Sequence, residues 1–103
     1  MNASNESRIR RLIQRHSLAR IELSTTGNRG YHAVAYPAPW SPVVAERRAA
    51  AYAADGKSSF SIAEATEIAD KAAHDALCRA HGDDIEHAIE ALAGELDALP
   101  PAA

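Results

Sequence analysis

Three side chains with metal-ligating chemistry stand at helical spacing. His74, Cys78 and His81 fall at i, i+4 and i+7. Imidazole and thiolate are good zinc ligands, and on a helix those intervals turn the three side chains the same way. A tetrahedral site needs a fourth donor, with His87 or a carboxylate as the candidate. Exposed histidines beside a buried, inert cysteine make the same pattern and are commoner, so we assign no metal. Carboxylates crowd the second half of the chain, from Glu64 to Asp97. General acid–base work needs two of them converging in a cleft with pKa values pushed apart, and no spacing here places such a pair. The sequence contains no Ser-His-Asp arrangement, Walker loop or dinucleotide fingerprint. We therefore expect a binding protein with no catalytic residue, no cofactor and no enzymatic activity.

Charge is segregated along the chain. Residues 1–48 hold eight Lys/Arg and three Asp/Glu, whereas residues 49–103 hold three and eleven, giving +5 and −8 within a net charge of −3. Two such halves either neutralise each other in the fold or face different partners. Candidate contact residues follow from this split. Arg8, Arg11 and Arg15 lie on the basic side and can contact phosphate. Asp83, Asp84, Glu86 and Glu90 lie on the acidic side. Trp40 joins them because it is the single tryptophan and sits in the proline-rich run Pro37-Ala38-Pro39-Trp40-Ser41-Pro42. That run is too proline-rich for regular structure. The indole either folds back over the core or stands out as a preorganised anchor, the use for which tryptophan is enriched at interfaces.

The elements that must position these residues read as follows. Residues 5–17 form a basic helix with Ile9, Leu12, Ile13 and His16 on one face. Ala19, Ile21 and Leu23 alternate with Arg20, Glu22 and Ser24, the period of a strand with one buried face. Thr26-Gly27-Asn28-Arg29-Gly30 is a turn. The return strand, Tyr31 to Tyr36, puts Tyr31, Ala33 and Ala35 on one side and His32, Val34 and Tyr36 on the other. Residues 43–54 are ambiguous. Ser41 as cap, Pro42 at the first helical position and the alanine run favour a helix. A hairpin alone is marginal and wants a third strand, which residues 48–54 can supply, running into a turn at Asp55-Gly56. We assign the strand.

Ser61 to Leu99 reads as a helical pair. Ser61-Ile62-Ala63-Glu64 fits a capping box, with Phe60 placed for a hydrophobic staple. Apolar residues then keep a 3–4 spacing as far as Ala80. Gly82 is the stop, so the pair is joined at His81-Gly82-Asp83. The second helix carries the seam Ile85, Ile89, Leu92, Leu96 and Leu99, and Pro100-Pro101 ends it. The seam packs on the domain's own core or serves self-association as a homodimer. The expected fold is α+β, with a small antiparallel sheet of two to three strands, an N-terminal helix and a C-terminal helical pair. It forms a single domain over 1–103, frayed at 1–4 and 100–103. Aromatic residues make up 5% of the chain, so the core is thin. One cysteine permits no intrachain disulfide, no run approaches the ~20 apolar residues of a membrane span, and the polar start lacks the apolar core of a signal peptide. These features point to the cytoplasm.

The order helix, strand, strand, strand, helix over residues 6–80 resembles the double-stranded-RNA-binding domain. Ala53-Ala54-Asp55-Gly56-Lys57-Ser58-Ser59 is similar to that family's last strand leading into its second helix. The family's phosphate-contacting lysines have no counterpart in Ser61-Ile62-Ala63-Glu64. In length, small sheet and charged patches the chain resembles phage and mobile-element inhibitors of the anti-CRISPR kind. That resemblance implies an inhibitor without a cofactor that binds a host defence nucleoprotein complex, such as a CRISPR effector. Ser59-Phe60-Ser61-Ile62-Ala63-Glu64-Ala65 after a hairpin is similar to HicB-type antitoxins. It implies the alternative, a nucleic-acid-binding regulator using the basic N-terminal helix.

Overall fold

The computed structural model describes residues 3–25 and 30–99. The chain runs α1 (Ala3–His16), β1 (Leu18–Thr25), β2 (Tyr31–Pro37), α2 (Pro42–Asp55), α3 (Ile62–His74), β3 (Cys78–Gly82) and α4 (Ile85–Ala98). The strands form one antiparallel sheet in the order β1-β2-β3. This is the expected α+β class, with its small sheet, N-terminal helix and two C-terminal helices. The turn expected at 26–30 lies largely outside the described residues, as does most of the fraying expected at the termini. Helix α1 already begins at Ala3.

Alternation decides which side of the sheet is buried. Ala33, Ala35 and Pro37 of β2 are buried, while His32 is exposed and Val34 and Tyr36 are half-buried on the other face. In β1 the alternation breaks once. Leu18 pairs with Pro37 and Arg20 with Tyr36, so Ala19 is an extra residue, a bulge. Leu18 and Ile21 therefore both face inward despite their odd spacing, and Ala19, expected inside, is exposed. Ser17 links α1 to the bulge in a left-handed conformation, φ 53°. Its carbonyl accepts from Ala38 N at 2.9 Å.

Helices α1 and α4 cover the inner face. Ile89, Leu92 and Leu96 are buried against Leu12, Leu18, Ala33 and Ala35, with Ile85 at the margin. The seam of α4 thus belongs to the chain's own core, with Ile85 partly buried at its start and Leu99, 37% exposed, at its end. Burial of this kind contributes roughly 1.5–3 kcal/mol per large aliphatic side chain.

Two expectations are corrected. Residues 42–55 are helix α2, not a strand. Ser41 Oγ accepts from Val44 N, Pro42 opens the first turn, and Gly56 ends the helix in a left-handed cap at φ 66°. Local signals prevailed over the hairpin's need for a third partner because β3 meets that need. The helical pair is also not continuous. Helix α3 stops at His74, and Cys78–Gly82 pairs with β2 in the register Ala35↔Cys78, Ala33↔Ala80, Tyr31↔Gly82. Gly82 is not a helix stop. A Cβ there would lie 2.2 Å from Ala88 N, so this glycine lets β3 meet the backbone of α4.

Without α2 and α3, the order is helix, three antiparallel strands, helix. The α2–α3 hairpin is an arm inserted between β2 and β3. It buries Val44 from α2 and Ala72 from α3. The molecule is long, 49 × 29 × 21 Å, with a radius of gyration of 15.8 Å against ~13 Å for a compact chain of this length.

Candidate functional site

The loop that carries Trp40 is fixed at both ends. Ser41 N donates to Ala38 O at 2.9 Å, closing a four-residue turn with Pro39 in second place, where its ring presets the backbone. Ala38 and Ser41 are buried, and Ser41 also caps α2. Between them the Trp40 side chain is left outside, 80% exposed. The indole does not fold back over the core.

The basic residues of α1 meet α4. Arg8, Arg11 and Arg15 line one shallow groove with Leu12, Ala93 and Asp97. The Arg15 guanidinium lies 3.5 Å from the Asp97 carboxylate, and His16 Nε2 lies 3.2 Å from it. Both partners of the arginine pair are open to water, so it contributes at most ~1 kcal/mol. Opposite charges from the two halves of the chain meet here, but they leave Arg11 exposed.

The acidic candidates cluster at the start of α4. Asp83, Asp84, Glu86 and Glu90 are all exposed. Asp84 has a structural task. Its carboxylate accepts from His87 N and lies against His87 Nδ1, each at 2.8 Å, and so caps α4. The bond from the His87 amide, helped by the imidazole, holds the Asp84 carboxyl below its ordinary range. The same contact raises His87. This helix start carries no positive side chain among Asp83, Asp84 and Glu86.

His74, Cys78 and His81 do not share a helix face. His74 ends α3 and bonds the Asp70 carbonyl at 2.6 Å. Cys78 and His81 stand three residues apart in β3, which turns them to opposite faces of the sheet. Burial, and secondarily the charge of Glu95, pushes the Cys78 thiol up. Among the described residues no group of three or more His, Cys, Asp or Glu is placed to hold a metal ion, and no helix is long and apolar enough to cross a membrane.

Two features escaped sequence reasoning. Arg47 of α2 donates to the carbonyls of Ala72 at 2.9 Å, Asp75 at 2.8 Å and Ala76 at 3.1 Å, closing the C-terminal end of α3 where no glycine stands. The outer face of the sheet is the other. Register puts Ser24, His32 and His81 in one row across it, then Glu22, Val34 and Arg79, then Arg20 and Tyr36. Half of this face is legible in the alternation of β1 and β2. The rest was hidden while Arg79 and His81 were read as helical.

No protein-family model matches the chain, and no curated protein or solved structure matches it.

Proposed function

We propose that the protein is a non-enzymatic inhibitor that docks on a protein complex with Trp40 as its anchor. The observation that carries this reading is the exposed indole on a turn held by Ser17, Ala38 and Ser41. A large aromatic side chain held outside on rigid backbone loses little conformational freedom when a partner pocket closes around it. The resemblance to anti-CRISPR inhibitors makes a CRISPR effector in the cytoplasm of a bacterial host the partner class to test. The test is co-purification of the tagged chain with effector complexes. Trp40→Ala is expected to melt within about 0.5 kcal/mol of the wild type and to lose capture. Undiminished capture by the variant overturns the anchor.

A second reading is a nucleic-acid-binding, antitoxin-like regulator. It is favoured by the convergence of Arg8, Arg11 and Arg15 on one groove. It predicts duplex binding that weakens with a salt slope of about −2.7 for three neutralised phosphates and disappears when all three arginines become alanine. Gel shifts showing no duplex binding at low salt remove it.

A further inference from the structure

Among the described residues, the outer face of the sheet is a surface of the body that α1 and α4 leave uncovered, and it gathers rings and cations. Two of its side chains carry full positive charge, Arg20 and Arg79, against one acid, Glu22, in a chain of net charge −3. It also carries three rings, His32, Tyr36 and His81, projecting from adjacent strands. His32 and His81 meet edge to face with centroids 5.2 Å apart. The Arg20 guanidinium lies 4.0 Å above the Tyr36 ring, and its Nε donates to Glu22 at 2.9 Å. That guanidinium is thus held over the ring, with its terminal nitrogens outside the bond to Glu22. Arg79 stands in the middle row, next to Val34 on β2. Beside it a shallow depression of ≈ 380 Å³ is lined by His32, Val34, Arg79 and His81.

The ring of His32 and the Arg20–Tyr36 pair stand two rows apart, about 13–14 Å along β2, with Arg79 in the row between them, a layout that suits a ligand of spaced planar groups on an anionic backbone. A duplex hides its base faces, and its binding is dominated by the number of phosphates neutralised. Two arginines are few for that, whereas rings and guanidinium planes bind bases that are already unstacked. We propose that the outer sheet face binds single-stranded nucleic acid, with bases stacking on His32 and on the Arg20–Tyr36 pair and a phosphate held by Arg79. This site is separate from the Trp40 turn and from the α1 arginines, and the proposal stands independently of both readings above.

The test is fluorescence anisotropy of the full chain with labelled oligothymidine and oligouridine of about fifteen nucleotides, and with a duplex of the same length. Single strands are expected to bind more tightly than the duplex, with a salt slope near −0.7 for the one phosphate held by Arg79. His32→Ala is expected to weaken binding about tenfold through the lost stack. Arg79→Ala is expected to lower the slope by about 0.7. Both residues are exposed, and circular dichroism checks that each variant is folded. The triple variant of Arg8, Arg11 and Arg15 is expected to keep single-strand binding. Absence of binding at low salt overturns the proposal. So does loss confined to the triple variant, or duplex binding as tight as single-strand binding. Polyglutamate competing with equal strength against the wild type and His32→Ala would mark a merely cationic surface, and that too overturns it.

Discussion

The body of the molecule and its arm are built on different physics. In the body, α1, α4 and the sheet enclose Leu12, Leu18, Ile89, Leu92 and Leu96, and side-chain burial holds the elements together. In the arm, two helices of 14 and 13 residues bury one side chain each. Isolated helices of that length are marginal in water. What holds them is mostly polar and local: the Ser41 cap, the Arg47 clasp on three carbonyls, and the reciprocal Ser61–Glu64 capping box. The edge-to-face contact of Tyr52 with Phe60, at 4.5 Å, adds a small apolar closure at the far end. Phe60, which stands just before the cap of α3, makes that contact from the N-terminal side of the helix. Ile62 beside it is 87% exposed. The contrast teaches that regular secondary structure in this chain is no measure of core. The arm is as helical as the body and far less buried.

This contrast can be broken from either side. The largest effect is expected from the body. Leu92→Ala leaves a cavity under the sheet and should lower global stability by about 2–5 kcal/mol in denaturant unfolding. A loss below ~1 kcal/mol would mean that the body is no better packed than the arm. Next comes Arg47→Met, which keeps the aliphatic stem and removes the donors. It should cost about 1.5–3 kcal/mol. Hydrogen exchange should rise in α2 and α3 with α4 unchanged, and uniform acceleration would show that arm and body unfold as one unit. The smallest effect is a pH response of the arm. The Lys57 ammonium, then the Ser61 amide and hydroxyl, hold the Glu64 carboxyl down to about 2. A depressed carboxyl stabilises the fold above its unfolded value and ceases to do so as pH falls through the folded one. Exchange protection at the start of α3 should therefore decline between about pH 5 and pH 2. Glu64→Gln should flatten that decline, and an unchanged profile would separate the shift from the cap.

What the sequence showed follows the same division. Periodicity reports burial, so the body was largely legible. The alternation of Tyr31 to Tyr36 divided the strand into the two faces it has, and the spacing of Ile85, Ile89, Leu92 and Leu96 marked a buried seam. The bulge at Ala19 was not visible, because a bulge is a property of pairing and leaves no trace in one strand. The arm misled for the opposite reason. Residues 43–54 carried sound local helix signals, and they were outweighed by a global argument whose true answer, β3, lay further along. Cys78–Gly82 holds few strand-forming residues and continues the alanine spacing of α3, so only its register with β2 makes it a strand. For the contact residues, residue type was readable and placement was not. Trp40 in a proline-rich run announced an aromatic in a stiff loop, but its exposure depends on the buried Ala38 and Ser41 on either side. Arg79 and His81 joined the outer face only once β3 existed.

The position of the arm has a consequence for how freely this chain can change. It joins two strands that are already neighbours, so its ends are fixed by the body whatever lies between them. The entropy of closing such a connection grows only with the logarithm of its length, about 0.6 kcal/mol for each doubling. A longer, shorter or wholly different arm would burden the sheet little. The stretch between Pro37 and Cys78 is thus a place where new sequence can be tried while the fold stays put, and it begins with the turn that presents Trp40.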